Sequence, residues 1–467
     1  ASLYSNIVNR VPIIVITGAT GTGKSKLAIE LALKFKAEVI NADSMQVYDG
    51  LNIATNKVTE KEQQGVKHHL LGYLDPKKNL LVREFRNAAL KTIKDITERG
   101  KLPIIVGGTN YYIESVLYNV LIDPTVSSDD EEEEEGGGEG QIENDVVNSK
   151  VDKATEAKKM KLSNEWKEKE FQERVEKLDN VTLHEKLKEI DPDMADVLHP
   201  NNRRKIIRSL QVYEQCGETL STILKRQREV PGGSDTGGPL RFINSIVLWL
   251  QCDSEVLKER LDERVNVMLS EGLVDELLDF HIKYNKNNCS NDYTRGILQT
   301  IGFKEFKDYL LLDEDGRKSE NGKKLFENGV ELLKIATKQY ATRQRRWIRN
   351  RFLKNARRQV PPIYGLDATD LSKWNENVLE KASDIVECHL AGRKSAIEPL
   401  PMENEKISID KSYHCQVCDR IFVGKLQWES HVESKKHRGV LKKKERMKKE
   451  QEKEKEEEEK EKMRKNE

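Results

Sequence analysis

The chain has 467 residues, 80 Lys and Arg against 80 Asp and Glu, and a formal net charge of zero, which excludes a uniformly basic nucleic-acid binder but not a locally basic face. Its 36% hydrophobic residues can bury a core, and its 34% charged residues, against an ordinary ~25%, call for charge runs or solvated tails. The longest apolar run, Ile246–Leu250, is far short of the ~18 residues of a membrane span, and six cysteines in so long a chain make no disulfide framework, so an intracellular protein without a membrane partner is expected.

The chain opens at Ala1 without Met, which predicts a processed or truncated N-terminus. A strand-like run, Val11–Thr17, leads into Gly18-Ala19-Thr20-Gly21-Thr22-Gly23-Lys24-Ser25 and a helical pattern over Lys26–Phe35. Further strands are predicted at Glu38–Asn41, Leu102–Val106 and Ile243–Leu250. Strands alternating with helices predict an α/β domain, with a parallel sheet covered by helices on both faces. Ser127–Gly140, with a run of acids and four glycines, reads as a disordered acidic loop. A charged helical block follows to Arg228, and because an apolar strand returns after it, the block reads as an insertion. A basic helix is predicted over Glu331–Asn355, then a linker, a Cys/His module at Tyr413–His437 and a Lys/Glu tail from Leu441. The expected divisions are a core over 11–125 and 241–366, an acidic loop and helical insertion over 126–240, a linker over 367–410, a finger over 411–440 and a tail over 441–467.

Gly18-x4-Gly23-Lys24-Ser25 is a full P-loop pattern, set between a strand and a helix as its mechanism requires. Backbone N–H groups and the helix N-terminus make an anion nest, Lys24 adds a point charge and Ser25 can reach a Mg²⁺. The loop recognises a diphosphate, of which a nucleotide is only the commonest bearer. A second carboxylate for the metal has two candidates, Asp253 after the strand Ile246–Leu250 and Asp43 after Val39–Asn41. Asp43 falls on the rim where doubly wound sheets bind ligands, and a helix N-cap is its competing role. Gly107-Gly108-Thr109 ends on the same rim, either as a close-approach site with a hydroxyl or as a plain turn.

Cys415-x2-Cys418-x12-His431-x5-His437 has zinc-finger ligand spacing, with Phe422 and Trp428 at the positions of the small core, and predicts a structural Zn²⁺. Lys334–Arg358 holds ten basic residues and no acid, with Tyr340 and Trp347 interleaved, the footprint of a polyanion. A shorter basic cluster is Arg203-Arg204-Lys205-x2-Arg208, and His68-His69 is expected to be a structural pair.

A diphosphate loop joined to a nucleic-acid stripe suggests an enzyme acting on RNA or DNA. The segments Gly18–Ser25, Asn41–Tyr48 (Asn-Ala-Asp-Ser-Met-Gln-Val-Tyr), Gly107–Tyr112, Arg208–Tyr213, Arg264–Gly272, Ile301–Glu305 and Lys338–Arg346 resemble, in order, those of the tRNA dimethylallyltransferases, or tRNA isopentenyltransferases. The finger is similar to that of the eukaryotic branch. The resemblance implies transfer of a dimethylallyl group from dimethylallyl diphosphate to N6 of the adenosine at tRNA position 37, in the anticodon stem-loop. It implies that Asp43 is the general base, that Gly18 to Ser25 bind the diphosphate with Mg²⁺, that Arg264 adds charge to the leaving group and that Thr109 contacts the tRNA. Asp43-Ser44-Met45-Gln46, Arg204-Lys205-Ile206-Ile207-Arg208 and the basic residues Arg343, Arg345 and Arg346 are its implied tRNA contacts. Bacterial members typically carry Gln-Arg where this chain has Arg204-Lys205. A monomer in mitochondrion and cytoplasm is expected, with a nuclear share left open. The competing functions are a P-loop nucleoside or small-molecule kinase, and a non-catalytic zinc-finger RNA-binding protein.

Overall fold

The structure is a computed structural model that describes residues 11–119, 171, 173–233, 237–284, 296–354, 358–403, 412–418, 420–444 and 446. The acidic loop at 127–140, Arg357 and the tail beyond 446 lie outside the described residues. The chain divides into two compact units, Ala1–Gly140 with Gln227–Glu405, and Gln141–Arg226 with Lys406–Glu467.

The first unit is built on a six-stranded sheet, every described pair parallel, in the order β3-β2-β4-β1-β5-β6. Its strands are β1 (Ile13–Gly18), β2 (Ala37–Asn41), β3 (His68–His69), β4 (Leu102–Val106), β5 (Ser245–Gln251) and β6 (Ile363–Asp367). β1, β2 and β4 are buried at every position, as expected of parallel strands covered on both faces. The central register pairs Ile14 with Ile104 on one side and with Ile246 on the other.

Helices α1 (Lys24–Phe35), α2 (Val82–Glu98) and α3 (Asn110–Leu117) connect the first strands. α1 lays Leu27, Leu31 and Ala32 against one face of the sheet, alongside Ile14, Ile104 and Leu248. α2 and α3 cover the other face with Phe85, Ile93, Ile113 and Val116, alongside Ile13, Ile105 and Val247. Because all the strands run one way, the loops after β1, β2, β4 and β5 share a rim.

The insertion leaves and re-enters this unit through adjacent backbone. Asn119 N–H donates to Pro239 O at 3.1 Å, and Arg241 N–H donates to Leu117 O at 2.7 Å. The insertion contains α4 (Arg203–Cys216), and after β5 come α5 (Ser254–Ser270), α6 (Leu273–Tyr284) and α7 (Glu320–Ile348). α7 starts earlier than the basic pattern suggested and ends in one π turn, Arg349–Leu353. Leu273, Leu277, Phe303, Phe306 and Leu333 form a further core there, with Val47 and Tyr48.

The stretch expected to be a linker is largely part of this unit. β6 extends the sheet beside β5, and Trp374, Val378, Ala382, Ile385 and Val386 from the helical turns behind it enter the same core as α1. Apolar spacing carries this packing without a strong pattern, since α8 (Lys381–Leu390) is short and shows polar residues to solvent.

In the second unit, Leu183, Leu187, Met194, Ile206, Leu210 and Leu224 are buried along short helices that include α4. His184 Nε2 lies 3.0 Å from the carbonyls of Ala195 and Leu198. The finger pairs β7 (Ser412–Cys415) antiparallel with β8 (Arg420–Val423) and adds α9 (Lys425–Glu433). Among the described residues, no helix is long and apolar enough to cross a membrane.

Candidate functional site

The rim gathers three loops. In the first, β1 ends at Gly18 and α1 starts after Gly23, whose φ of 90° lies in the left-handed region that glycine tolerates. A side chain at Gly23 would also meet Trp374, whose ring would stand 2.7 Å from its Cβ. Trp374 is fixed in turn by donating its Nε1–H to Glu30 at 2.8 Å, with Lys26 Nζ 4.6 Å from its ring centre. The segment behind β6 thus supports the outer face of the P-loop. Within the loop, Thr22 Oγ1 and Lys24 Nζ both donate to Ala19 O, at 2.8 and 2.9 Å. Ser25 is exposed on the first turn of α1.

In the second loop, Asp43 is half-buried and follows β2. Its Oδ1 accepts from the main-chain N–H of Met45 at 3.0 Å and of Gln46 at 3.4 Å. The capping role weighed for Asp43 is therefore present, but on a turn and through one carboxylate oxygen. Gln46 Nε2 donates to Thr55 O and Asn56 O, at 3.0 and 3.1 Å, and folds the rest of the loop back.

The third loop is Gly107-Gly108-Thr109. A Cβ on Gly107 would stand 2.1 Å from Ala42 O, so the loops after β2 and β4 approach to backbone contact. Thr109 Oγ1 accepts from Ser44 N–H at 2.9 Å and donates to Ser44 Oγ at 3.1 Å. The Thr109 hydroxyl is a clamp on the Asp43 loop.

Arg264, on α5, completes the rim by donating to Thr20 Oγ1 at 3.0 Å. Its Nε is buried with no partner among the described residues. Burial pushes the Arg264 guanidinium below its ordinary range against the opposing pull of Asp43. Lys24 is pushed down to about 8: burial is the chief cause, the charge of Asp43 works the other way, and Arg264 adds repulsion. Lys24, Arg264 and Asp43 therefore act on one another, two cations and one carboxylate on the same rim. The two cations repel unless an anion lies between them.

α7 supplies a residue that the sequence did not mark. Gln344, 4% exposed, accepts from Thr20 N–H at 2.7 Å through Oε1 and donates to Gly108 O at 3.1 Å through Nε2. The basic residues beside it serve several ends. Arg345 donates to Ser254 Oγ at 2.7 Å, Arg343 lies over Tyr340 with its guanidinium carbon 6.0 Å from the ring centre, and Arg346 is exposed. Lys338 pairs with Asp262 at 2.7 Å and Arg349 with Glu403 at 2.9 Å. Arg351 and Arg358 do not join a solvent-facing stripe. Both are buried and pair with Glu114 of α3, at 3.0 and 2.8 Å, while Trp347 Nε1–H donates to the same carboxylate at 2.6 Å. Burial alone would raise the Glu114 carboxyl, and Arg351 and Arg358 outweigh it and hold it down to about 2.

Asp253 is the N-cap of α5, accepting from Glu255 and Val256 N–H at 2.8 and 3.3 Å, which is a structural use of that carboxylate. His69 meets Glu38 at 2.7 Å beside Arg99 and Lys101, while His68 Nδ1 lies 2.9 Å from Val66 O, so the pair serves the fold.

The Arg204–Arg208 segment lies on α4, in the second unit. Arg204 is exposed, and Lys205, Ile207 and Arg208 are half-buried, Arg208 donating to Gln211 Oε1 at 3.1 Å. Ile206 is fully buried in the core of the helical unit, so its side chain is not available to a tRNA surface. Alternation on a helix explains it, since one residue in each turn of an amphipathic segment faces inward.

Cys415, Cys418, His431 and His437 bring their ligand atoms within 4.8 Å of one another. His437 Nδ1 lies 3.5 Å from both sulfurs and 3.1 Å from His431 Nε2. A tetrahedral Zn²⁺ with bonds of ~2.0–2.3 Å sets its ligands ~3.3–3.8 Å apart, so the donor set fits zinc. Phe422 stacks on His431 at 3.9 Å and Tyr413 on Trp428 at 5.5 Å, closing a small core over the site.

Comparison with known proteins agrees with this arrangement. The family model described as IPP transferase matches residues 46–351, and that of a C2H2-type zinc finger matches residues 413–437. The chain is 44% identical to the tRNA dimethylallyltransferase of Homo sapiens, over 93% of this chain and 87% of the human protein. It is also 44% identical to that of Mus musculus, over 96% of this chain and 89% of the mouse protein. A solved structure of a eukaryotic dimethylallyltransferase acting on tRNA superposes with a TM-score of 0.72 at 30% identity, covering 94% of this chain and 98% of that one. With a family model spanning most of the α/β unit and relatives alike over nearly their whole length, this chain belongs to the IPP transferase family.

Proposed function

We propose that this protein transfers a dimethylallyl group from dimethylallyl diphosphate to N6 of an adenosine in tRNA, the one at position 37 beside the anticodon. The observation that carries this reading is that the P-loop holds Lys24 against Ala19 O and Arg264 against Thr20 Oγ1, with the charge of Asp43 acting on both cations. An allylic diphosphate ionises readily once its leaving group is neutralised. Lys24, Arg264 and the amides of the loop Gly18 to Ser25, apart from that of Thr20, which Gln344 holds, are the groups that take up the diphosphate charge. Mg²⁺ belongs to this reading: the exposed Ser25 offers it a hydroxyl oxygen, and the substrate phosphates supply further oxygen ligands of the kind a hard cation takes.

Asp43 is the general base of this reading. As the adenine nitrogen bonds to the prenyl carbon it becomes cationic, and Asp43 stabilises that charge and accepts the proton. The Met45 and Gln46 amides hold the carboxylate in place through Oδ1. Thr109 fixes the main chain at Ser44 and so acts on Asp43 through the loop. The RNA lies along Arg343, Arg345 and Arg346 of α7 and the loop Asp43–Gln46, with Arg204, Lys205 and Arg208 of the second unit as further phosphate partners. A target base in a single-stranded loop leaves its stack at less cost than one in a duplex, which favours an anticodon loop as substrate.

The test is to incubate the protein with tRNA and dimethylallyl diphosphate and to analyse the nucleosides by mass spectrometry, with ATP as the control donor. The expected product is N6-isopentenyladenosine, made only with the prenyl donor. Phosphate transfer from ATP with no prenylation would replace this reading with a kinase.

A further inference from the structure

The helix that carries Arg343, Arg345 and Arg346 sends one buried side chain from the same turn into the heart of the rim. Both ends of the Gln344 carboxamide are engaged, one by the loop after β1 and the other by the loop after β4. Its main-chain carbonyl is tied as well, accepting from Asn110 Nδ2 at 3.4 Å, and Asn110 Oδ1 accepts from Thr17 Oγ1 at 2.8 Å. Thr20, which donates its N–H to Gln344, accepts from Arg264 through its hydroxyl, so a continuous chain of hydrogen bonds runs from α7 through the P-loop to α5. A Cβ on Gly108 would stand 2.1 Å from Gln344 Nε2, so a side chain there would push this carboxamide aside.

An apolar side chain could fill the same space. What it could not do is hold an amide donor of one loop and a carbonyl of another at a fixed separation. We infer that Gln344 is a positioning residue that couples RNA binding on α7 to the diphosphate loop. Through it the position of the arginine helix sets where Thr20 and Arg264 stand relative to Gly108 and the Asp43 loop. RNA bound along α7 then favours the arrangement in which the diphosphate cations face the base. This rests on the reading of α7 as an RNA-binding helix.

The experiment uses the full-length chain, tRNA and inorganic pyrophosphate as the donor-site probe. In the wild type, saturating tRNA is expected to tighten pyrophosphate binding by about tenfold, within the usual range of coupling between sites. Gln344→Met keeps length and helix propensity and removes both polar contacts. It should bring that factor to about one while each separate affinity stays within about threefold, and lower single-turnover transfer at saturation by about 10- to 100-fold, the scale of a small misplacement of reacting groups. Gly108→Ala displaces the same carboxamide from the other side without altering α7, and should reproduce the loss of coupling. In the double variant the two effects should not add. A wild-type factor near one, or a factor kept in both single variants, overturns the inference. If Ala at Arg343, Arg345 and Arg346 leaves tRNA affinity unchanged, the reading of α7 itself falls, an outcome distinct from failure of Gln344 alone.

Discussion

At Lys24 the fold asks an ammonium to stay charged in a place that strips water from it. Its pKa of about 8, against the ordinary 10.5, is the consequence. Diphosphate bound beside it favours the charged form and draws the pKa back up, so between those values binding takes up a proton. Affinity for inorganic pyrophosphate should then fall as pH rises above about 8, by up to tenfold per pH unit, because the free site has lost the proton that the bound site holds. Calorimetry about half a pH unit above that value, in buffers of different ionisation enthalpy, should register net proton uptake, and Lys24→Met should abolish it. No uptake in the wild type would place the titrating charge elsewhere. Asp43 is a different case, because its geometry alone serves both a turn and a reaction. Asp43→Asn keeps the carboxamide oxygen for the Met45 and Gln46 amides and removes charge and basicity. Binding of tRNA and of dimethylallyl diphosphate should stay nearly constant while single-turnover transfer falls by ~10²-fold or more, the scale of losing a general base. Transfer near the wild-type rate would leave Asp43 only its turn.

Among the elements, α7 was partly legible and partly not. Its basic residues stand out in the sequence, yet charge spacing alone does not separate an exposed arginine from one buried against a carboxylate far away along the chain. Arg351, in the π turn that follows α7, and Arg358 beyond it are of the second kind, and their partner Glu114 sits on α3 with no signal in its neighbourhood. Removing it tests this division of labour. Glu114→Ala removes the carboxylate that two buried guanidinium groups share and should destabilise the protein by about 3–5 kcal/mol in chemical denaturation. The folded carboxyl lies below its ordinary 4.5, so the stability it contributes is complete above that pH and is lost as pH falls toward 2. The P-loop and the four finger ligands could be read in advance because local spacing defines them, and Asp43 and Thr109 could be placed on the rim because each follows a strand of the sheet. Gln344 and Trp374 could not, because each acts across more than 300 residues of chain, on partners that only the folded sheet brings near. The stretch behind β6 was legible as polar and short, which a linker also is. Its burial depends on α1 presenting an apolar face to it.

At the scale of the molecule, the groups assigned to the reaction and the zinc ligands fall in separate units. Lys24, Asp43, Arg264 and Gln344 all belong to the first, while the finger shares the second with the helices that carry Arg204 and Arg208. The finger is not an isolated bead within that unit, since His199 of the helical part faces the main chain of Ile421 on β8. Loss of zinc should therefore act on substrate affinity and leave the chemical step alone. Cys415→Ser with Cys418→Ser removes both thiolates, and the finger's small stack of aromatic rings around His431 is too little to fold without metal. The variant should show a raised KM for tRNA and a shallower dependence of log affinity on log salt, by ~1 for each phosphate that is no longer neutralised. Single-turnover transfer at saturating tRNA should stay close to the wild-type rate, because every group assigned to bond making lies in the other unit. If that saturated rate collapses while the sheet unit keeps its thermal midpoint, the zinc module helps to build the active site, and affinity is not its only contribution.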